Sequence, residues 1–280
     1  MDPDTGPAMT TPATDPTDAT DATDATAATD ATAATDATAA TGRLAGRRLL
    51  VTGASSGIGQ ATARAAAAAG ARVALLARSE DKLRALAEEL GGVAVPADVV
   101  DAQAARAAVD AAAEELGGLD GLVNAAGVAR PGPIATTSPS DWQLTFDVNV
   151  LGLLHVTQAA MPHLAAAERA DVVNVSSMSG RRVGSPEMAV YAASKAAVHA
   201  LSEGLRREVA DDGVRVSVIA PGFVRTGIFD DQGSEAAERL GHKGQQVGLD
   251  PRQVADRIVE VLAAPAGVVH VEVAMTSTDQ

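Results

Sequence analysis

Two kinds of apolar pattern alternate along the chain. Short, mostly continuous apolar runs predict strands that are covered by helices on both faces. The longer Ala-rich stretches between them predict helices. The predicted strands are Arg48–Thr52, Arg72–Ala77, Val93–Ala97, Gly121–Asn124, Asp171–Ser176, Arg215–Ala220 and Val268–Val273. The predicted helices are Gln60–Ala69, Glu80–Leu90, Ala102–Leu116, Asp141–Ala167, Met188–Ala210 and Pro251–Ala263.

This alternation predicts a single Rossmann-type α/β domain over residues 43–280, built on a doubly wound parallel sheet of about seven strands. Right-handed crossover connections then place helices on both faces of the sheet. One long stretch, Gly227–Leu249, contains glycine and charge but few large apolar residues. It predicts a mobile lid over a substrate site, with Phe223, Ile228 and Phe229 as its main apolar contacts.

The first 42 residues differ in composition from the rest. From Asp18 to Thr41 the sequence repeats Asp-Ala-Thr and Ala-Ala-Thr, without a large apolar residue. Such a segment cannot bury enough surface to fold, so residues 1–42 are predicted to be a disordered Ala/Thr/Asp-rich tail. The tail holds eight of the 36 acidic residues and no basic one, so the net charge of −14 is only −6 for the remainder.

The composition excludes several classes of protein and site. Lys and Arg are outnumbered and occur at most as isolated pairs, which argues against a nucleic-acid partner. The chain has no cysteine, which excludes disulfides, thiolate zinc sites and cysteine nucleophiles. The five histidines do not pair with carboxylates at ligand spacing, so no metal is expected. No apolar run approaches the ~18 residues of a membrane span, and no signal peptide is recognisable. A soluble cytoplasmic protein without a membrane partner is the expectation.

A glycine-rich segment follows the first predicted strand. Thr52-Gly53-Ala54-Ser55-Ser56-Gly57-Ile58-Gly59 opens the first helix. Glycines there let the backbone approach a pyrophosphate, and the free N–H groups of the helix N-terminus favour its charge. The pattern predicts a dinucleotide site, the alternative being an ordinary strand-to-helix turn.

The end of the second predicted strand bears on which dinucleotide is bound. Nineteen residues after Gly59, where an acid would hold the ribose 2′-hydroxyl of NAD, the chain has Arg78. A guanidinium can pair with a 2′-phosphate, which favours NADP(H). The alternative is that Arg78 is a surface residue, while Ser79 caps the next helix and Glu80 and Asp81 occupy its first turn.

The chain's single tyrosine and one of its three lysines are four residues apart. Tyr191 and Lys195 are therefore neighbours on one helix face. A positive charge ~5 Å from the phenol would stabilise the phenolate by about 3 kcal/mol, or about two pKa units. This predicts an acid/base role for Tyr191. The alternative is an exposed tyrosine stacked on the lysine stem.

These segments together resemble the short-chain dehydrogenase/reductase family over residues 43–280. The matching positions are Thr52–Gly59, Asn124-Ala125-Ala126-Gly127, Asn149, Ser176-Ser177, Tyr191–Lys195 and Pro221-Gly222. The resemblance implies that Tyr191 donates or accepts the proton, and that Lys195 lowers its pKa and binds the nicotinamide ribose. It also implies that Ser177 binds the substrate oxygen, and that Asn149 holds a water linking Lys195 to solvent.

The resemblance further implies which residues bind NADP(H). They are Gly53, Ser55, Ser56, Gly57, Ile58, Gly59, Arg78, Asp98, Val99, Asn124, Ala125, Ala126, Gly127, Tyr191, Lys195, Pro221, Gly222, Val224 and Thr226. Family members usually pair through helices equivalent to Asp141–Ala167 and Met188–Ala210, so a homodimer or homotetramer is expected.

The chain departs from the family pattern at two points. Ser177 and Tyr191 are 14 residues apart where 13 is commonest, which leaves Ser179, 12 residues before Tyr191, as the competing serine. Ser177 is favoured because it directly follows a predicted strand. Ala125 stands where many members carry a second Asn.

The implied activity is NADP(H)-dependent interconversion of a small-molecule carbonyl and a secondary alcohol. Two alternatives are a non-catalytic NADP(H) sensor and an epimerase or dehydratase of secondary metabolism that uses the same residues. The segment Val268–Gln280 is similar to the ends of 3-hydroxy-acid (serine-type) dehydrogenases and antibiotic-pathway reductases, but departs from them at Met275-Thr276-Ser277. It does not indicate the substrate.

Overall fold

The residues described by the computed structural model, 42–230 and 232–280, form one sheet of seven parallel strands. The strands are β1 Arg48–Thr52, β2 Arg72–Ala77, β3 Val93–Pro96, β4 Gly121–Asn124, β5 Ala170–Val175, β6 Val214–Pro221 and β7 Glu272–Met275. Their order, β3-β2-β1-β4-β5-β6-β7, is doubly wound and confirms the predicted fold class. The predicted tail at residues 1–42 lies outside the described residues except for Gly42.

Helices cover both faces of the sheet. They are α1 Gly57–Ala68, α2 Glu80–Leu90, α3 Ala102–Leu116, α4 Pro139–Phe146, α5 Leu153–Ala165, α6 Ala189–Glu208, α7 Glu235–Val247 and α8 Pro251–Leu262. A π-helical segment, Asp147–Gly152, separates α4 from α5 within the predicted helix Asp141–Ala167. No helix in the described part of the chain is long and apolar enough to cross a membrane.

The core lies in two layers because successive side chains of a strand point to opposite faces. Leu49 and Val51 pack with residues of α1, α2 and α8 on one face. Leu50, between them, packs with residues of α3 and α5 on the other face. All three are fully buried, which explains why β1 is a continuous apolar run.

The last strand was predicted too early in the chain. β7 spans Glu272–Met275 rather than Val268–Val273, and Val268, Val269 and Val271 are exposed. The Arg215 guanidinium donates hydrogen bonds to the carbonyls of Ala264, Pro265 and Val268. These bonds hold the preceding segment as a loop, so the parallel ladder begins only at Glu272, which pairs with Val218.

The predicted lid region contains helix α7, which the sequence analysis did not predict. Ser234 begins the helix, since its Oγ accepts a hydrogen bond from the Ala237 N–H. Ala237, Leu240 and Gly244 are buried on one side of the helix. Their spacing of three and four residues is that of an amphipathic helix.

Candidate active site

A cavity of about 650 Å³ opens at the carboxyl edge of the sheet. Residues that follow β1, β2, β3, β4, β5 and β6 line it. The chain reverses its direction of strand addition between β1 and β4, and parallel α/β sheets bind ligands in the crevice that this reversal creates. The cavity holds most of the predicted site residues.

The glycine loop forms one wall of the cavity, and two of its positions, Gly53 and Gly59, leave no room for a side chain. A Cβ on Gly53, whose φ is +66°, would lie 2.8 Å from the Ala126 nitrogen. A Cβ on Gly59 would lie 2.4 Å from the Gly53 carbonyl oxygen. Gly59 therefore packs α1 against the loop and does not line the cavity, whereas Ser55, Ser56, Gly57 and Ile58 do. The N-terminus of α1, which has no side-chain cap, thus faces the cavity with its N–H groups.

The far end of the cavity is lined by Arg78, Ser79, Asp98 and Val99. Arg78 is exposed, and within the described ranges no carboxylate lies within 4.0 Å of it. Ser79 occupies the N-cap position of α2, but its side chain makes no capping hydrogen bond, contrary to the alternative considered from the sequence. Glu80 and Asp81 do occupy the first turn. This end therefore presents a guanidinium and a hydroxyl, which suit a phosphate.

Tyr191 and Lys195 lie together at the bottom of the cavity. The Lys195 Nζ is 5.9 Å from the centre of the Tyr191 ring, and it donates a hydrogen bond to the Val175 carbonyl at 2.9 Å. Both side chains are buried, 8% and 5% exposed. This excludes the alternative of an exposed tyrosine stacked on a lysine stem.

Ser177, two residues after the end of β5, lies against the Tyr191 side chain and lowers its pKa. Its Oγ also accepts a hydrogen bond from the Ser179 backbone N–H at 3.1 Å. Ser179 lines the cavity too, but the contact with the tyrosine belongs to Ser177.

The pKa of Tyr191 differs from the one predicted. Burial raises it to about 12, and the hydrogen bond with Ser177 only partly opposes this effect. Burial also lowers the pKa of Lys195 to about 8, because the cavity floor disfavours its charged form. The causes of this raised pKa are burial and Ser177, and the predicted lowering effect of Lys195 on Tyr191 stays a prediction.

Asn149 and Asn124 lie behind the cavity wall. Asn149, in the π-helical segment, donates to the Val128 carbonyl and to Ser194 Oγ, and its Oδ1 accepts from the Val128 N–H. It thereby ties the loop after β4 to α6. Asn124 donates to Thr157 and Asn174, which ties β4 to α5 and β5. The side chains of Asn149 and Asn124 therefore bond to other protein groups, and neither of them lines the cavity.

The remaining predicted residues do line the cavity. They are Ala125, Ala126, Gly127, Pro221, Gly222, Val224 and Thr226. Several other residues that line the cavity were not expected from the sequence, namely Arg130, Met178, Arg182, Leu240, Lys243, Thr276 and Gln280. Leu240 could have been found from its helical spacing with Ala237 and Gly244, whereas the others stand in no recognisable pattern.

An apolar pocket occupies the end of the cavity next to Tyr191. Its wall is formed by Met188, Leu240, Phe223, Ile228 and Phe229, and Ala129 packs behind them. Two polar contacts hold the α7 region over it. Gln232 donates to the Ala129 carbonyl at 2.9 Å, and Arg239 pairs with Glu187. The mobility of this region remains a prediction.

Comparison with known proteins gives matches along most of the chain. Residues 47–237 match the family model of short chain dehydrogenases. A glycine betaine reductase of Emericella nidulans is 39% identical over 245 residues, a match that covers 85% of this chain but 19% of that protein. The chain therefore corresponds to about a fifth of that relative.

Solved structures share the fold over nearly their whole length. A short chain dehydrogenase from Burkholderia cenocepacia in complex with NADP is 34% identical with a TM-score of 0.74, covering 84% of this chain and 98% of that one. A 3-ketoacyl-(acyl-carrier-protein) reductase from Brucella melitensis, complexed with NADH, is 27% identical with a TM-score of 0.74. That match covers 84% of this chain and 99% of the reductase.

Proposed function

Because the chain belongs to the short-chain dehydrogenase/reductase family, we propose that it is an NADP(H)-dependent oxidoreductase that interconverts a carbonyl group and a secondary alcohol. The observation that carries the proposal is the placement of Ser177, Tyr191 and Lys195 in the same cavity as the glycine loop. Catalytic groups and a phosphate-binding helix N-terminus are what hydride transfer from a dinucleotide requires.

The residues present fit NADP(H). Gly53 and Gly59 have no space for a Cβ, which leaves the backbone of the loop close to the bound pyrophosphate. The N-terminus of α1 would bind the pyrophosphate with its N–H groups. Arg78 and Ser79 would hold the 2′-phosphate, while Asp98 and Val99 would line the adenine site. Of the two solved structures described above, one carries NADP and the other NADH, so the preference for NADP(H) rests on Arg78 and Ser79.

The protein groups determine where the proton goes. NADPH supplies the hydride when bound. The Ser177 and Tyr191 hydroxyls would hold the substrate oxygen, and Tyr191 would donate its proton as the carbonyl becomes an alcohol. With a pKa of about 12, Tyr191 is protonated at neutral pH, as a proton donor must be. Lys195, with a pKa of about 8, is mostly charged at pH 7 and would stabilise the phenolate that remains. Asn149 would keep Lys195 in place through Ser194 and the loop at Val128.

The substitution Tyr191→Phe tests the proton donor. It removes only the hydroxyl, so turnover of a panel of small ketones and keto acids should fall by at least about 10²-fold, the scale of acid/base catalysis. NADPH affinity, measured by fluorescence titration, should change little. A Phe variant of undiminished activity would contradict the assignment. Tight NADPH binding by the wild type without turnover of any carbonyl would favour the sensor alternative.

The substitution Arg78→Ala tests the cofactor preference. Hydrogen bonds to a charged group contribute about 1.5–3 kcal/mol, so NADPH affinity should fall by about one to two orders of magnitude. NADH affinity should be unchanged. Arg84→Ala is the matched control, because Arg84 is an exposed residue of α2 that pairs with Glu80 and does not line the cavity. Equal loss of both nucleotides in Arg78→Ala would reject Arg78 as the phosphate ligand.

We also propose a homodimer or homotetramer that uses the surface of α4, α5 and the segment between them. Phe146, Leu151 and Leu154 are exposed there, although large apolar residues are normally buried. Light scattering should give at least twice the monomer mass at micromolar concentration, and a monomer mass would reject the assembly.

A further inference from the structure

The side chain of Gln280 pairs with the backbone N–H and carbonyl of Phe223 at the edge of the cavity. Its Oε1 accepts a hydrogen bond from the Phe223 N–H at 2.7 Å, and its Nε2 donates to the Phe223 carbonyl at 3.0 Å. The same Nε2 lies 3.2 Å from the Val247 carbonyl at the end of α7. One carboxamide thus bonds both polar groups of Phe223 and the last residue of the helix over the substrate pocket.

This pairing lies just beyond the end of β6. β6 and β7 pair as far as Pro221 and Met275, and the Gly222 N–H donates to the Met275 carbonyl at 2.8 Å. The next residue is Phe223, whose N–H and carbonyl bond to the Gln280 amide, and whose carbonyl also accepts a hydrogen bond from the Leu249 N–H at 2.8 Å. A side chain at position 222 would prevent this, because its Cβ would lie 2.1 Å from Gln280 Oε1.

The peptide that Gln280 holds carries part of the pocket wall. The Phe223 ring lines the cavity and packs with the cluster that contains Tyr191, Met188 and Leu240. It also faces α7, since a Cβ on Gly244 would lie 3.5 Å from the ring and the Lys243 Nζ is 5.4 Å from its centre. A shift of the Phe223 peptide would therefore move both the ring and the helix relative to Tyr191.

We infer that Gln280 is a positioning residue of the active site: its carboxamide fixes the backbone of Phe223 and the end of α7, and so the shape of the substrate pocket. The kinetic part of this inference rests on the proposed function. The anchoring of the peptide does not.

The variant Gln280→Met keeps the length of the side chain and removes its hydrogen bonds. Hydrogen exchange measured by mass spectrometry on the full chain, without nucleotide or substrate, should show faster exchange in the peptide that contains Phe223. With NADPH and ethyl acetoacetate as the probe ketone, KM should rise about tenfold while kcat changes less, because the hydrogen bonds are lost outside the reacting groups.

The variant Gln280→Glu distinguishes the donor from the acceptor. A carboxylate only accepts, so it faces the Phe223 and Val247 carbonyls without a hydrogen to donate. The defect in KM should therefore shrink as the pH falls toward the carboxyl pKa and the protonated group regains a donor. Asp279→Asn is the control for the neighbouring position and should match the wild type in both measurements.

Unchanged exchange at Phe223 in Gln280→Met would overturn the inference, as would faster exchange with an unaltered KM and kcat. Faster exchange with the raised KM, and its recovery at low pH in Gln280→Glu, would establish it. A wild type that protects Phe223 but reduces no carbonyl would uphold the anchoring and contradict only the proposed function.

Discussion

Burial changes the chemistry of the two titratable residues that stand one helical turn apart. Burial raises the pKa of Tyr191 to about 12, so the phenol is neutral at pH 7. Burial lowers the pKa of Lys195 to about 8, because it disfavours the charged ammonium. A charged lysine in the core lowers the free energy of unfolding, because the folded state must keep that charge away from water. The residue that the proposed chemistry needs is thus one that the fold disfavours.

Lys195→Met should therefore stabilise the protein while impairing catalysis. A folded pKa of about 8 against an ordinary 10.5 corresponds to about 3 kcal/mol at pH 7, less the hydrogen bond lost by the Val175 carbonyl. The net gain in the free energy of unfolding should be about 1–2 kcal/mol by urea denaturation, with at least a tenfold fall in kcat.

The stability gained by Lys195→Met should depend on pH, because the pKa of Lys195 is lower in the folded state than in the unfolded state. Below pH 8 both states of the wild type bind the proton, so the cost of the buried charge is fully present. As the pH rises from about 8 toward 10.5, the folded state releases the proton first and the wild type gains stability. The difference between variant and wild type should shrink over that range, and a constant difference would contradict the buried charge.

The identity of these residues could be predicted from the sequence, but their pKa values could not. The spacing of Tyr191 and Lys195 follows from helix geometry alone. Their burial depends on Val175, Ser177 and the pocket wall, which come from distant parts of the chain. The attraction between one charge and one phenol leaves out the loss of solvent around the buried phenol, which raises its pKa.

At the scale of elements, the turn from β1 to α1 shows how close packing builds a binding surface. The Gly59 Cα faces the Gly53 carbonyl so closely that only backbone atoms fit between the loop and the helix. This contact aims the N-terminus of α1 at the cavity. The glycine pattern was visible in the sequence, and its reason is the steric contact.

Gly59→Ala should disrupt this element. The new Cβ would lie within 2.8 Å of three backbone atoms, which cannot rotate away, so the loop must shift at a cost of about 1–3 kcal/mol or more. NADPH binding, measured by fluorescence, should weaken at least tenfold. Gly204→Ala is the matched control. Gly204 is exposed within α6 with no atom near its Cβ, so alanine should stabilise the helix by about 0.5–1 kcal/mol and leave binding unchanged.

The elements that the sequence predicted well are those with a strong local pattern. The bounds of β1, β2, β4, α2 and α3 were predicted to the residue. α7 was missed because its apolar face is only Ala237, Leu240 and Gly244, which is weak until Phe223 packs against it. β7 was displaced because its start depends on Arg215, whose bonds to the preceding loop have no signature in the local sequence.

At the scale of the whole molecule, the carboxyl and amino edges of the sheet differ in function. The carboxyl edge holds the cavity, and the amino edge holds a cluster of buried charges. Arg47 pairs with Asp120 at 2.7 Å and with Asp171 at 2.8 Å, while Arg215 pairs with Asp171 at 2.7 Å. Arg47, Arg169 and Arg215 also donate to carbonyls at the end of α8 and just beyond it. The cluster thereby joins residues beside β1, β4, β5 and β6 to α8.

Asp171→Asn should destabilise the whole domain without touching the site. Asp171 is 2% exposed and lies between Arg47 and Arg215, so removing its charge leaves two guanidinium groups close together at the edge of the core. Breaking such a buried pair costs about 3–5 kcal/mol. At about 2–4 °C per kcal/mol for a domain of this size, the melting temperature should fall by roughly 10 °C.

The control for this prediction is Glu203→Gln, which removes a carboxylate that pairs with Arg206 and Arg207 on the exposed side of α6. Solvent screens that cluster, so calorimetry should show little change in its melting temperature. Well below the melting temperature, Asp171→Asn should keep the KM for NADPH of the wild type, because the cluster and the cavity lie at opposite edges of the sheet. A variant that lost nucleotide binding before it lost stability would show that the amino edge also shapes the site, and the division of tasks between the two edges would have to be abandoned.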